Sequence, residues 1–391
     1  MNQTANKVIT QETIHSIAAP QQHYTLLLAA DGNLISIDAD GILTATHNAD
    51  DAVMWAPQGA GFRHVITDSL VDAERDGELL SLSHRGVQLD GVKTAHGPGD
   101  LPSRSLAHFR EHGWVCLPAI LDDATLEGLE NISASERYSA GSIDAQTSPL
   151  CQHPAVARMA AEPVSLWLMR QYMGTDALRL GHPPSLAILE QDDGERDVQG
   201  WHSDFPYMWG LEGTPPYGRI PNGSGAAMLG VQRNVCISRF TREGGATAFK
   251  LGSSRHDHGP PTEWGLGSAY NRPGHRAEFG LPYCGPEADV VETSGGSIIL
   301  YDSRTWHRAG VNALPKRRAA MLQAMIPGFM MPFFDCSGVY HDFLAQAFLN
   351  ELNERELTEI QRLMINHMEI GPHRIAIRPD PALTNLLKWP D

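Results

Sequence analysis

Between residues 186 and 327 the chain is a succession of short apolar runs: LAILEQ, MLGVQRNVCISRF, ATAFKL, GSIILYD and RRAAMLQAMIP. Gly, Pro and polar residues part them. Runs of strand length with turn signals between them, following helical segments, predict an antiparallel β-sandwich or jelly roll flanked by helices. The helical segments come first. SLAHFREHGWVCLPAILDDATLEGLENI reads as helix, short strand, helix, with Gly113 stopping the first helix and Asp122-Asp123 opening the second. PAVARMAAEPVSLWLMRQYMG is helical by spacing, and so is HDFLAQAFLNELNERELTEIQRLMINHM near the end. The fold class expected is mainly β with flanking helices.

The first hundred residues differ in style. HYTLLLAADGNLISIDADGILTAT holds short apolar runs broken at Asp31-Gly32 and Asp40-Gly41, and ELLSLSHRGVQLDGVKTA repeats this at Arg85-Gly86 and Asp90-Gly91. Such pairs between alternating apolar residues signal hairpins. Residues 22–95 are therefore expected to form a small all-β module, whose rhythm resembles one lobe of a fascin-like β-trefoil. HGPGDLPSRS, residues 96–105, reads as a linker, and the catalytic domain is expected over 103–391. The downstream domain should then stand alone. At 391 residues the chain has room for two domains.

Composition excludes several classes. Hydrophobic residues at 42% and charged residues at 19% describe a globular chain with ample core. A net charge of −16 argues against a nucleic-acid partner, which would want a basic surface. No run of eighteen apolar residues offers a membrane span, and the N-terminus lacks the apolar region of a secretory signal. Cys116, Cys151, Cys236, Cys284 and Cys336 lie far apart with no CxxC pair, so they read as reduced thiols. A cytoplasmic protein with a small-molecule substrate is expected, and self-assembly into a homo-oligomer stays open.

The sharpest local feature is GWHSDFPYMW, where His202 and Asp204 flank Ser203. On a strand, residues i and i+2 point the same way, so an imidazole and a carboxylate can reach one metal. About a hundred residues on, an apolar strand ends near Asp302 and His307 follows in the next turn. Two histidines and one carboxylate on one face of iron(II) leave room for a bidentate 2-oxo acid and for dioxygen. Arg317 and Arg318 follow His307 by ten and eleven residues. A guanidinium there could hold the far carboxylate of 2-oxoglutarate, and strand alternation turns only one of the two inward.

From about residue 105 the chain resembles the phytanoyl-CoA dioxygenase family of iron(II)/2-oxoglutarate oxygenases. FREHGWVCLPAILDDATLEGL, TREGGATAFKLGSSRH and SRTWHRAGVNALPKRRAAM carry the likeness, including Asn312 five residues after His307. The resemblance implies a double-stranded β-helix, that is, a jelly roll. It also implies His202, Asp204 and His307 as metal ligands, Fe(2+) as the metal, and 2-oxoglutarate and O2 as co-substrates. The arginine it selects is Arg318, eleven residues beyond the histidine. The activity implied is hydroxylation or desaturation of a small organic molecule, with 2-oxoglutarate decarboxylated to succinate and CO2. One departure is Ala309, where the family often has a small hydroxyl side chain that contacts the co-substrate. The N-terminal module lies outside the family pattern.

Gln232 and Asn234 alternate on GVQRNVCIS, share a face, and would hydrogen-bond co-substrate or substrate if that face is interior; a purely structural pairing is the bland reading. His182 before Pro-Pro reads as structural or pocket-lining, and His256 and His258 as surface-loop residues. Trp201, Tyr207, Trp209 and Trp306 crowd the two metal segments, where one or two would touch substrate and the others fill core. The methionines from Met321 to Met331 are packing residues. Residues 211–228, long and Gly/Pro-rich, read as a substrate-covering loop. Two competing readings remain. A cupin-like metal-dependent isomerase or hydrolase would not need Arg318, and a non-catalytic binding module would tolerate loss of a ligand. A halogenase is disfavoured because Asp204 fills the position it would keep open.

Overall fold

The computed structural model describes residues 13–207, 228–256, 259–261, 264, 276–277, 280, 282–283, 285–365, 367–370 and 375–378. Helices α1 (Pro102–His112), α2 (Asp123–Ile132), α3 (Pro154–Ala160), α4 (Pro163–Met173), α5 (Ser337–Leu344) and α6 (Glu354–Met364) form one layer. Their ends follow local chemistry. Gly113 takes φ 76° and closes α1, and the Asp122 carboxylate accepts from the Thr125 amide to open α2. The stretch from Pro154 to Gly174 is two helices rather than one. Pro163 has no N–H to continue a ladder, and Glu162 caps the new helix by accepting from the Val164 and Ser165 amides.

The β part has two facing sheets and a barrel. Ahead of everything lies β1 (Ile14–Ser16). The barrel strands are β2 (Thr25–Leu28), β3 (Leu34–Ile37), β4 (Leu43–Thr46), β5 (Trp55–Gln58), β6 (Gly61–His64), β7 (Leu70–Asp76), β8 (Leu79–His84) and β9 (Val87–His96). After them come β10 (Trp114–Leu117), β11 (Leu178–Leu180), β12 (Ser185–Leu189), β13 (Val231–Cys236), β14 (Ala248–Lys250), β15 (Asp289–Glu292), β16 (Ser297–Asp302), β17 (Trp306–Arg308) and β18 (Arg318–Pro327). A last hairpin joins β19 (His367–Ile370) to β20 (Ile375–Arg378).

The larger sheet runs β10-β16-β13-β18-β11, with β12 also on β18, and every pair is antiparallel. The smaller runs β1-β15-β14-β17. From β13 to β18 the chain passes between the two sheets repeatedly, which is the jelly roll expected from the sequence. Alternation sorts the side chains. Val235, Ile298, Leu300 and Met321 pack outward on Phe109, Val156, Leu166 and Met169 of the helices. Cys236, Ile299, Tyr301 and Ala320 turn inward to meet Phe240, Phe249, Val290 and Val291.

The N-terminal module closes on itself, because β2 pairs with β5 along one edge and with β9 along the other. It is therefore a closed barrel. Leu27, Ile35, Trp55, Phe62, Leu82 and Val92 fill it. Three of the four punctuating pairs make turns, with Gly32, Gly41 and Gly86 at positive φ. Asp90-Gly91 does not: it lies inside β9, where the register against β8 slips between Leu80 and Leu82, a bulge. The barrel is not packed as a separate body. Leu26, Leu34, Val53 and Met54 belong to the same apolar cluster as the helices. Arg355 of α6 donates through its backbone N–H to the Asp31 carbonyl and through Nε to the Gly32 carbonyl, both at 2.9 Å. β1, which precedes the barrel, lies parallel to β15 and so belongs to the smaller jelly-roll sheet.

Candidate active site

Strand β17 carries His307, and the extended segment around His202 lies against it. The two residues exchange backbone hydrogen bonds, His202 N–H to His307 carbonyl at 2.9 Å and the reverse at 3.0 Å. Asp204 N–H donates to the Ser303 carbonyl at 2.8 Å. The HxD pair is thus held by an isolated bridge rather than by a regular strand, and His307 lies on a strand rather than in a turn. Pairing of the two histidine backbones brings their rings to a 4.2 Å centroid separation.

Each imidazole is oriented from behind. His202 Nδ1 lies 2.8 Å from the Gly200 carbonyl and His307 Nδ1 lies 3.0 Å from the Thr305 carbonyl. A ring nitrogen facing a carbonyl must carry the proton, so both Nε2 lone pairs face the interior. There Asp204 Oδ2 is 3.2 Å from His307 Nε2, and Oδ1 is 3.7 Å from His202 Nε2. Among the described residues this is the one group of His, Cys, Asp or Glu with metal-ligand spacing, its donor atoms all within 4.8 Å. Neutral imidazoles with a carboxylate suit a divalent metal, and their backbone partners are what metal-ligating histidines usually have.

Burial lowers the pKa of His202 to about 4, with repulsion from His307 adding to it. Burial likewise lowers His64, His96, His108, His153 and His182. Each stays neutral in the folded chain where an unfolded histidine, near 6.5, would take a proton. The stability this contributes is complete above about pH 6.5 and is lost as pH falls through the lower folded values. The melting temperature of metal-free protein is expected to fall steadily from pH 7 to pH 5. A flat profile across that window would mean these histidines titrate normally.

The cluster opens into a cavity of about 230 Å³. Gln232 and Asn234 line it from β13, and Arg318 lines it from β18. Asn234 Nδ2 donates to Thr247 Oγ1 at 3.0 Å, while its buried Oδ1 has no hydrogen-bond partner among the described residues. Arg318 is buried. It donates through Nε to the Gly245 carbonyl at 3.0 Å and through Nη1 to the Ala187 carbonyl at 3.3 Å. Those carbonyls orient the guanidinium without neutralising it, and burial lowers its pKa to about 10. Arg317 turns outward and pairs with Glu190 at 2.6 Å. Ala309 also lines the cavity.

Other expected participants are distributed differently. His182 reaches the cavity and meets Phe333 edge-on at 5.3 Å. His256 stacks on Trp306 at 5.0 Å, outside the ligand group. Trp201 and Trp306 fill a small apolar cluster, and Tyr207 accepts from the Leu229 amide. Trp209, His258 and all of residues 211–228 except Met228 lie outside the described residues. Three contributors escape sequence reading. Tyr301 places its hydroxyl 3.3 Å from Asp204 Oδ2 and 3.4 Å from His307 Nε2. Burial first, then Asp204, pushes that phenol well above its ordinary pKa, so it is a donor. Phe205 and Phe333 meet at 5.0 Å on the cavity wall.

No protein-family model matches the chain. It is similar to dioxygenase af480 of Aspergillus fumigatus, 24% identical over 237 residues, which are 56% of this chain and 64% of that protein. The chain thus spans under two thirds of its curated relative. Among solved structures, the epimerase SnoN in complex with Fe3+, alpha ketoglutarate and nogalamycin RO matches with a TM-score of 0.40 and 19% identity. That match covers 58% of this chain and 83% of SnoN. HygX from Streptomyces hygroscopicus with nickel and 2-oxoglutarate bound matches with a TM-score of 0.43 and 17% identity, over 60% of this chain and 90% of HygX. None of these findings names the phytanoyl-CoA dioxygenase family. On sequence grounds the chain is a relative of a dioxygenase.

Proposed function

We propose that this chain is an iron(II)- and 2-oxoglutarate-dependent oxygenase of the phytanoyl-CoA dioxygenase-like group, acting on a small organic molecule by hydroxylation or desaturation. One observation carries the reading: the His202–Asp204–His307 group and Arg318 share one cavity. A buried guanidinium whose hydrogen-bond partners among the described residues are two carbonyls is costly without an anion to answer it. A dicarboxylic co-substrate supplies both halves, a 2-oxo acid for the metal and a distal carboxylate for Arg318. Gln232, Asn234 and Thr247 add polar groups to the same wall, and the open acceptor of Asn234 is available to a hydroxyl or water. When bound, iron(II) would supply the activation of dioxygen for substrate oxidation, with succinate and CO2 as co-products. The protein's own part is to hold the ligands, orient the co-substrate and keep the chemistry away from solvent.

The mouth supports an apolar or aromatic substrate body. Ile188, Leu189 and Leu322 line the cavity beside Phe205 and Phe333, and Phe333 touches the exposed Phe334 at 4.8 Å. A cupin-like isomerase or hydrolase has no use for a buried, carbonyl-tethered arginine, which makes it the weaker reading. Arg318→Ala is expected to raise the Kd for 2-oxoglutarate about tenfold to a hundredfold, about 1.5–3 kcal/mol for a charge-assisted contact. Arg317→Ala should change it little, since its partner is a surface carboxylate. Anaerobic titration of the iron(II) protein with 2-oxoglutarate, followed by its visible absorption, measures both. Equal effects at the two arginines would sink the assignment.

A further inference from the structure

We infer that Tyr301 is a positioning residue that holds Asp204 to one-oxygen donation at the metal, an inference that rests on the metal reading above. Tyr301 is on β16 directly opposite Gln232 of β13, with its ring edge-on to Phe249 at 5.1 Å and to His307 at 5.1 Å. The side chain is 3% exposed, so the packed ring fixes where its hydroxyl can be. That hydroxyl has two acceptors within reach, Asp204 Oδ2 at 3.3 Å and His307 Nε2 at 3.4 Å. His307 Nδ1 is already committed to the Thr305 carbonyl, so Nε2 is the atom left for a metal. Once a metal takes that lone pair, Asp204 Oδ2 is the remaining acceptor for the Tyr301 proton.

The consequence concerns coordination number. Asp204 presents both oxygens to the histidine pair, Oδ2 at 3.2 Å from one Nε2 and Oδ1 at 3.7 Å from the other. An unrestrained carboxylate in that place could bind through both oxygens and fill a position that the co-substrate or dioxygen needs. A phenol hydrogen bond on Oδ2 withdraws electron density from that oxygen and stops the group from turning. Tyr301 thereby keeps the carboxylate monodentate and a coordination position available. Partners of this kind behind metal ligands commonly contribute about ten- to a hundredfold in metal affinity.

The full-length chain loaded with cobalt(II), whose visible ligand-field bands report coordination number, provides the test. Tyr301→Phe keeps the ring and loses the hydroxyl, and an unchanged melting temperature of the metal-free variant identifies a folded protein; Tyr301→Leu serves if it does not fold. The variant is expected to bind cobalt(II) about tenfold more weakly. Its ligand-field bands should differ from those of the parent, as the second Asp204 oxygen takes a coordination position that the parent leaves to solvent. In an Asp204→Asn background the same change should cost nothing further, because the hydroxyl acts through Asp204. Identical spectra and affinities for parent and Tyr301→Phe would overturn the inference. So would an intense phenolate-to-metal band in the iron(III)-loaded parent, since Tyr301 would then be a ligand itself. A parent chain that takes up no cobalt(II) would overturn the metal reading, a result separable from these two.

Discussion

Alanine at His202, Asp204 or His307 is expected to abolish both iron(II) binding and succinate formation. The three donors meet within 4.8 Å, and each is braced from outside the group. The imidazoles lean on the Gly200 and Thr305 carbonyls, and the carboxylate accepts from Tyr301. Removing any one deletes a direct donor and leaves two protein ligands, so the loss should exceed the about 10–100-fold typical of a partner behind the ligands. His256→Ala is the control. Its ring stacks on Trp306, and it takes no part in the group, so uptake and turnover should survive. Iron content after dialysis and succinate release, measured side by side, check the expectation. Comparable losses at His256 and His307 would remove the ligand assignment.

What the sequence shows of this site depends on burial on one face or two. The HxD pair, His307 and the arginine doublet are polar residues beside apolar runs, and polar residues there stand out. Gln232 and Asn234 are visible for the same reason, since they interrupt VQRNVC at alternate positions, and both reach the cavity. Tyr301 is not visible. SIILYD is buried on both faces, so its run is apolar throughout and no period of two marks which side chains turn inward. Arg233 shows the opposite limit. It lies between Gln232 and Asn234, yet alternation sends it into the helical layer, where it donates to Gln323, Ser165 and the Ala160 carbonyl. The backbone pairing of His202 with His307 joins residues about a hundred positions apart, a contact that no local pattern announces.

The same reasoning governs the N-terminal hundred residues, where local signals and packing diverge. Asp-Gly pairs and short apolar runs reveal a β module, but they cannot show which apolar face turns outward to meet something else. In the structure Leu27 and Ile35 point into the barrel, while their neighbours Leu26 and Leu34 point into the helical core. A chain starting near Leu101 is therefore expected not to fold stably, contrary to the independence that the sequence suggests. Burial of Leu26, Leu34, Val53 and Met54 against the helices contributes about 1.5–3 kcal/mol for each side chain. Four of them approach the whole stability of an ordinary domain, about 5–15 kcal/mol. Arg355, buried at 7% exposure, would also lose the Asp31 and Gly32 carbonyls that help hold it. Loss of β1 adds an open edge at β15. A milder deletion separates these effects. Removing residues 1–19 takes away β1, keeps the barrel, and should lower the melting temperature while leaving a folded protein that binds metal. Removing residues 1–100 should give a chain without cooperative melting, prone to aggregate through the uncovered face. Calorimetry on both chains decides the matter, and a cooperative transition at the parent temperature in the longer deletion would show that the barrel is dispensable.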